Sequence, residues 1–163
     1  MVKRILQHLL LPHWIPLRAF STQDLEGIGQ AIAASEANHR GELRFAVEGP
    51  LPFHALRAPA RARAVELFSL LKVWDTAENS GVLIYVQLVD RRIEIVADRG
   101  IAAKVPQSDW DAICRAMEDA FRRREFRAGA LAAIERATAL LTAHFPPGAD
   151  NPNELPDQPV VLK

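Results

Sequence analysis

A chain of 163 residues is the size of one ordinary domain and can bury a core without metal or disulfide support. Its composition, 49% hydrophobic and 25% charged, excludes wholesale disorder and a fibrous architecture. Twenty basic residues balance twenty acidic ones, so net charge supplies no field toward nucleic acid or an anionic surface, and only local patches remain to be weighed.

The stretch from Met1 to Pro12 has a basic start and a short apolar run. Gln7 and His8 interrupt the run, and no small-residue cleavage site follows, which argues against a secretory leader and makes the cytoplasm the expected location. No stretch reaches the roughly 20 apolar residues that cross a bilayer. Residues 1–20 place Leu6, Leu9, Leu10, Trp14, Ile15 and Phe20 among basic groups. A short helix and an apolar clasp over the domain are expected, with Pro12 and Pro16 preventing a longer helix. The alternative is an arm that meets a partner or lies peripherally on a membrane surface.

Ser21 with Asp24 opens the first full helix through a variant of the capping box, and Leu25, Ile28 and Ile32 recur at helical spacing until Gly41. The pattern then changes to a period of two. Leu43, Phe45 and Val47 alternate with Glu42, Arg44 and Glu48, which predicts a strand. Pro59 to Val73 reads as a second helix with Ala60, Ala64, Leu67, Phe68 and Leu71 on one stripe. Val82 to Val89 is almost continuously apolar, as a strand buried on both faces should be. Asp90, Arg91 and Arg92 form a short reversal, and residues 93–97 return as a third strand. The interval predicts the hairpin, since the turn lacks the favoured Asn-Gly chemistry.

Ser108 and Asp111 have cap-like spacing before a helix striped by Trp110, Ile113, Met117 and Phe121, with Arg122 to Arg124 placed to suit its dipole. Cys114 lies within it and reads as a buried thiol. An alanine-rich fourth helix covers roughly residues 127–144. The division expected is thus a clasp or interaction segment at 1–20, an α/β domain at 21–145, and a proline-rich polar tail at 146–163.

One helix between the first two strands implies a parallel crossover, followed by an antiparallel hairpin. The expected fold is α/β, a small mixed sheet flanked by helices. This order sorts dispersed polar residues in space. His39, Glu42, Asp75, Glu78, Asn79 and Asp98 should reach one end of the sheet, and Glu48, Asp90, Arg91 and Arg92 the other. Glu42, Asp75, Glu78, Asn79 and Asp98 are therefore candidate oxygen ligands for Ca2+ or Mg2+. His39, Asp90, Arg91 and Arg92 are further candidates, His39 reading first as a helix-terminal contact. No phosphate-binding glycine loop or dinucleotide fingerprint occurs, so no organic cofactor is expected. The chain also lacks a groove-reading motif, and specific nucleic-acid binding is not expected.

Three segments in this order, Gly41 to Val47, Asn79 to Tyr85 and Asp90 to Gly100, resemble the TPM-domain family over roughly residues 20–145. The similarity is to its short bacterial members without an evident signal peptide. The resemblance implies a compact mixed sheet flanked by helices, in a family associated with photosystem repair, membrane-linked proteins, divalent-cation binding and phosphatase activity. Asn79 with Gly81 to Leu83 matches the family's loop and central strand, Asp90 with Arg91 its reversal, and Asp98 its acidic position after the returning strand. Where many relatives carry a secretory leader or a membrane-spanning tail, this sequence shows a short apolar start and a polar, proline-rich ending. With no complete catalytic motif, the expected function is an intracellular binding or assembly-support domain, responsive to a divalent cation and engaging a protein partner. The alternative is a weak metal-dependent phosphomonoesterase.

Overall fold

The computed structural model describes residues 2–12, 14–148 and 151–162. Four strands, β1 (Glu42–Glu48), β2 (Gly81–Gln87), β3 (Arg92–Ala97) and β4 (Val160–Leu162), form one sheet in the order β3-β2-β1-β4. β1 and β2 run parallel, with Glu42 opposite Gly81 and Glu48 opposite Gln87. β3 returns antiparallel, Val82 facing Ala97 and Gln87 facing Arg92. This is the crossover and hairpin that the sequence order implies. β4 adds to the outer edge of β1 in parallel, Ala46 opposite Val160 and Glu48 opposite Leu162. Part of the polar tail therefore becomes the edge strand.

The helices are α1 (Val2–Leu10), α2 (Ile15–Ala19), α3 (Thr22–Glu36), α4 (Ala60–Leu70), α5 (Arg99–Ala102), α6 (Gln107–Arg122) and α7 (Phe126–His144). At the start of α3 the Ser21 hydroxyl accepts the Asp24 N–H while Asp24 accepts the Ser21 N–H, a complete capping box. α6 begins earlier than the cap-like spacing suggests. Pro106 precedes it, and Asp111 instead accepts a hydrogen bond from the Gln107 side chain at 2.9 Å. Short α5 was not foreseen; the Asp98 side chain caps it through the Arg99 N–H.

Alternation along the strands sends side chains to two cores. Phe45, Val47, Ile84, Val86 and Ile95 pack under α3, α6 and α7. Ala46, Leu83, Tyr85 and Val96 pack against Ala64, Leu67 and Phe68 of α4, joined by Leu155 from the tail. The second face also takes the charged residues of β1, so Glu42 and Glu48 are each 2% exposed.

Glu48 can be buried because Arg63 of α4 forks onto it, with Nη2 at 2.6 Å and Nε at 3.2 Å from its oxygens, and the Tyr85 hydroxyl donates to Oε2 at 2.5 Å. Burial and the adjacent Glu48 charge push the Tyr85 phenol upward, so it stays a donor. A buried pair of this kind costs desolvation that its geometry must offset, and removing one partner strands the other.

α1 docks in the reverse of the usual sense. Arg4 and His8 face inward while Lys3 and Gln7 stay exposed: Arg4 forks onto the Asp90 carboxylate at 2.8 and 3.0 Å and donates to the carbonyls of Leu56 and Ala58. His8 Nδ1 accepts the Leu51 N–H at 2.9 Å, so Nε2 carries the proton donated to Asp90 at 3.0 Å. Burial opposes ionisation of Asp90, but the bonds from Arg4 and His8 outweigh it and hold its carboxyl below the usual carboxylate range. Leu6, Leu9 and Leu10, expected in an apolar clasp, are exposed, and so is Trp14. Phe20 is buried and Ile5 packs by Leu51, Ala55 and Leu56. The Ile15 side chain is outside the described set.

Replacing Arg63 by Ala should lower the unfolding free energy by about 3–5 kcal/mol, because it leaves the Glu48 charge buried without its partner. The paired replacement Arg63→Met with Glu48→Gln should cost much less. Urea titration of the two variants measures the difference.

Candidate functional site

The two ends of the sheet carry opposite chemistry. At the end where β1 and β2 begin, the backbone is drawn tight: the Glu42 N–H bonds to the Ser80 carbonyl, the Asp98 N–H to Gly81, and the Gly100 N–H to Asn79, at 2.8–3.0 Å. A Cβ on Gly100 would stand 2.5 Å from the Glu78 carbonyl, so only glycine lets the loop and α5 meet. Gly81 likewise lies directly against the Val73 carbonyl, two residues before Asp75. Thus Glu42, Asp75, Glu78, Asn79 and Asp98 share one end of the sheet, as topology requires.

They do not converge on a point. Glu42 Oε2 accepts the N–H groups of Glu154 and Leu155, at 3.2 and 3.0 Å. Glu78 pairs with Arg40 at 2.5 Å, and Asn79 accepts from Arg99 Nε at 2.8 Å. Asp98 caps α5 through Oδ1, while its buried Oδ2 has no partner among the described residues. Asp75 is exposed. His39 is wholly buried, with Nε2 2.8 Å from the Ser35 hydroxyl and Nδ1 accepting the Gly41 N–H; burial lowers its basicity. Among the described residues, no three His, Cys, Asp or Glu side chains form a group that holds a metal ion. As described, these five side chains are not gathered into a preformed cation site.

A neighbour that the sequence reading passed over lies beside Glu42. Glu36, buried at the end of α3, accepts the Leu43 N–H through Oε1 at 2.9 Å, leaving Oε2 without a partner among the described residues. Burial, helped by the charges of Glu42 and Asp157, raises its pKa from 4.5 to about 8. Burial also raises Glu42, against the opposing pull of its two N–H donors. Arg44 reaches the carbonyls of Pro156 and Gln158, and Asn151 donates to those of Glu36 and His39. This end of the sheet is therefore occupied by the 151–162 segment.

The hairpin end holds an open cleft of about 830 Å³, lined by Arg18, Arg91, Arg92, Arg122 and Arg124 against one carboxylate, Glu118. Leu88, Ile93, Phe121 and Phe126 give it apolar walls. Phe20, Phe121 and Phe126 form an edge-to-face cluster with centroids 5.0–5.9 Å apart, which fixes the wall. Glu118 accepts the Ile93 N–H and lies 3.9 Å from Arg92 and 3.8 Å from Arg122. Arg18 stacks over the Trp14 ring at 4.2 Å. Among the described residues the side chains of Arg91 and Arg124 have no carboxylate partner.

Those two arginines are also conformationally unusual. Arg91 in the reversal has φ 54° and Arg124 has φ 64°, the left-handed region that glycine fills most easily. Arg124 closes α6 where the Glu125 N–H bonds to Ala120 and its own N–H bonds to Phe121, a position normally given to glycine. The sequence names Arg91 and Arg92 as candidates and sets the Arg122 to Arg124 run between helix-dipole stabilisation and anion recognition, without joining the two groups. The missing signal was direction: α6 starts at the Asp98 end and must finish at the hairpin.

Among known proteins, the model of a family described as the TPM domain matches residues 17–140. The NMR structure of the BA42 protein from the psychrophilic bacterium Bizionia argentinensis is similar, with 30% identity and a TM-score of 0.77, over 87% of this chain and 94% of that one. The solution NMR structure of the N-terminal domain of a P. gingivalis protein shares the fold, with 17% identity and a TM-score of 0.65, over 77% and 78% of the two chains. No curated protein matches. Among the described residues no helix is long and apolar enough to cross a membrane.

Glu36 makes the pH dependence of stability testable. Because its folded pKa is raised, its contribution is complete below about 4.5 and is lost as the pH climbs to about 8. Glu36→Gln keeps an acceptor for Leu43 and removes the charge. Relative to wild type it should gain on the order of a few kcal/mol between pH 5 and 8, measured by urea unfolding at both values.

Proposed function

Because the chain belongs to the TPM-domain family, we propose a function for it as a noncatalytic binding domain whose ligand is an organic anion seated in the arginine cleft. The observation that carries this reading is the gathering of five arginines around apolar walls in a protein of zero net charge. Guanidinium groups suit phosphate and carboxylate oxygens through paired N–H donors, and their weak hydration lowers the cost of closing on a ligand. The phenyl rings beneath favour an anion attached to an apolar body. Left-handed backbone at Arg91 and Arg124 costs stability that glycine would recover, which is the pattern of residues kept for their side chains. Among the described residues the cleft supplies no nucleophile paired with a base. Its one carboxylate, Glu118, is engaged by the Ile93 N–H, so binding fits its chemistry better than turnover.

Calorimetric titration should give tighter binding of phenyl phosphate than of inorganic phosphate. Arg124→Gly should weaken phenyl phosphate binding about tenfold, the loss of one charge-assisted contact, while leaving thermal stability equal or higher because glycine suits that backbone. Unchanged affinity in both Arg124→Gly and Arg91→Gly would remove the cleft from consideration.

A second reading, a divalent cation at the opposite end with weak phosphomonoesterase activity, is favoured by one observation: the buried Asp98 Oδ2 lacks a partner among the described residues. Asp75 is exposed nearby, and Glu78 would have to leave Arg40 to join it. Titration with Ca2+ and Mg2+ should then show weak saturable binding that Asp98→Asn abolishes. No saturation at millimolar metal would dismiss this reading.

A further inference from the structure

The inverted docking of α1 leaves an unusual surface. A helix on a globular protein normally buries its apolar stripe and exposes its charges. In α1 Arg4 and His8 are taken up by Asp90, and Val2, Leu6, Leu9 and Leu10 face outward, Val2 and Leu10 being 72% and 78% exposed. Phe53, 85% exposed, stands on the short turn beside the Leu51, Ala55 and Leu56 cluster where Ile5 packs. Asp90, which anchors this helix, immediately precedes Arg91 of the cleft. No acidic residue precedes Asp24, whereas Lys3 and Arg18 are exposed.

We infer that α1 and the arginine cleft form one surface that lies on an anionic phospholipid bilayer, α1 entering the interface and the cleft taking the phosphate of a lipid headgroup. The inference rests on the anion-binding reading of the cleft and names the source of the anion. Charge decides between the occupants of the apolar stripe. A second copy docked about a twofold axis would bring Lys3 and the cleft arginines of both chains toward each other, with like charges opposed. Its area is also too small: one side of a helix of 9 residues, about 14 Å long, falls far short of the roughly 800 Å² each partner gives to a stable interface. A bilayer needs no shape complementarity, and it offers hydrocarbon to the leucines and phosphates to the arginines at adjacent depths. Trp14, half exposed under the Arg18 guanidinium, belongs to the residue type that settles at the headgroup level.

The test is sedimentation of the full chain with vesicles of phosphatidylcholine containing about one third phosphatidylglycerol, against pure phosphatidylcholine, at low and physiological salt. Binding should be about tenfold stronger to the anionic vesicles and weaken with salt. The double variant Leu6→Glu with Leu10→Glu, altering only exposed positions, should lose about tenfold while still binding soluble phenyl phosphate. Arg124→Gly should weaken both. Phenyl phosphate binding without vesicle binding would overturn the membrane inference and leave the anion site standing; vesicle binding unaffected by Arg124→Gly would overturn the shared surface. Dimerisation that the leucine variant abolishes would overturn it in favour of a second copy.

Discussion

The parallel pairing of β1 on β2 is the constraint from which the rest of this molecule follows. It fixes which ends of the two central strands coincide, and it forces the connecting helix α4 onto one face of the sheet. The buried Glu48, Arg63 and Tyr85 group ties these three elements at the hairpin end. A slip of one residue would turn Glu48 to the opposite face of the sheet, away from Arg63 and the Tyr85 hydroxyl that satisfy it. The ion pair therefore contributes more to specifying the register than its modest net energy suggests. With the register set, the reversal at Asp90 and Arg91 has only one place to be, and both α1 and the cleft are built around it.

Much of this was readable in the sequence because periodicity and order carry it. The Ser21 cap, the three central strands, the hairpin and the sorting of Glu42, Asn79 and Asp98 against Asp90 and Arg91 all follow from local pattern and from the short interval at residues 90–92. What periodicity cannot reveal is which partner a charged side chain finds. Glu78 meets Arg40 and Asn79 meets Arg99, so an end that is acidic in one dimension is largely paired in three. The same limit hid the orientation of α1. Spacing groups Leu6 with Leu10 and Arg4 with His8, but Asp90, far along the chain, decides which pair turns inward. The cleft escaped because its arginines come from three separated segments, none basic enough alone to stand out.

The pattern of strain fits the division of labour between the two ends. Four residues other than glycine adopt positive φ among those described: Lys72, Asn79, Arg91 and Arg124. Lys72 closes α4 with the same pair of bonds that Arg124 makes after α6, and Asn79 is of a type that tolerates this backbone. What sets Arg91 and Arg124 apart from Lys72 and Asn79 is that both line one cavity. Cys114, by contrast, has its thiol pushed to about 12 by burial, so it contributes packing and little thiolate at neutral pH.

The edge strand β4 has a consequence for solubility. Among the described residues, three cover the outer row of β1 amides and carbonyls, held by the Arg44 contacts and by Glu42 bonding to residues 154 and 155. Such a segment detaches at a small fraction of the free energy of global unfolding, and local opening bares a flat, apolar strand edge. The contacts of Arg44 and Glu42 thus guard the edge as well as the fold, because they keep the β1 backbone from being offered to another strand.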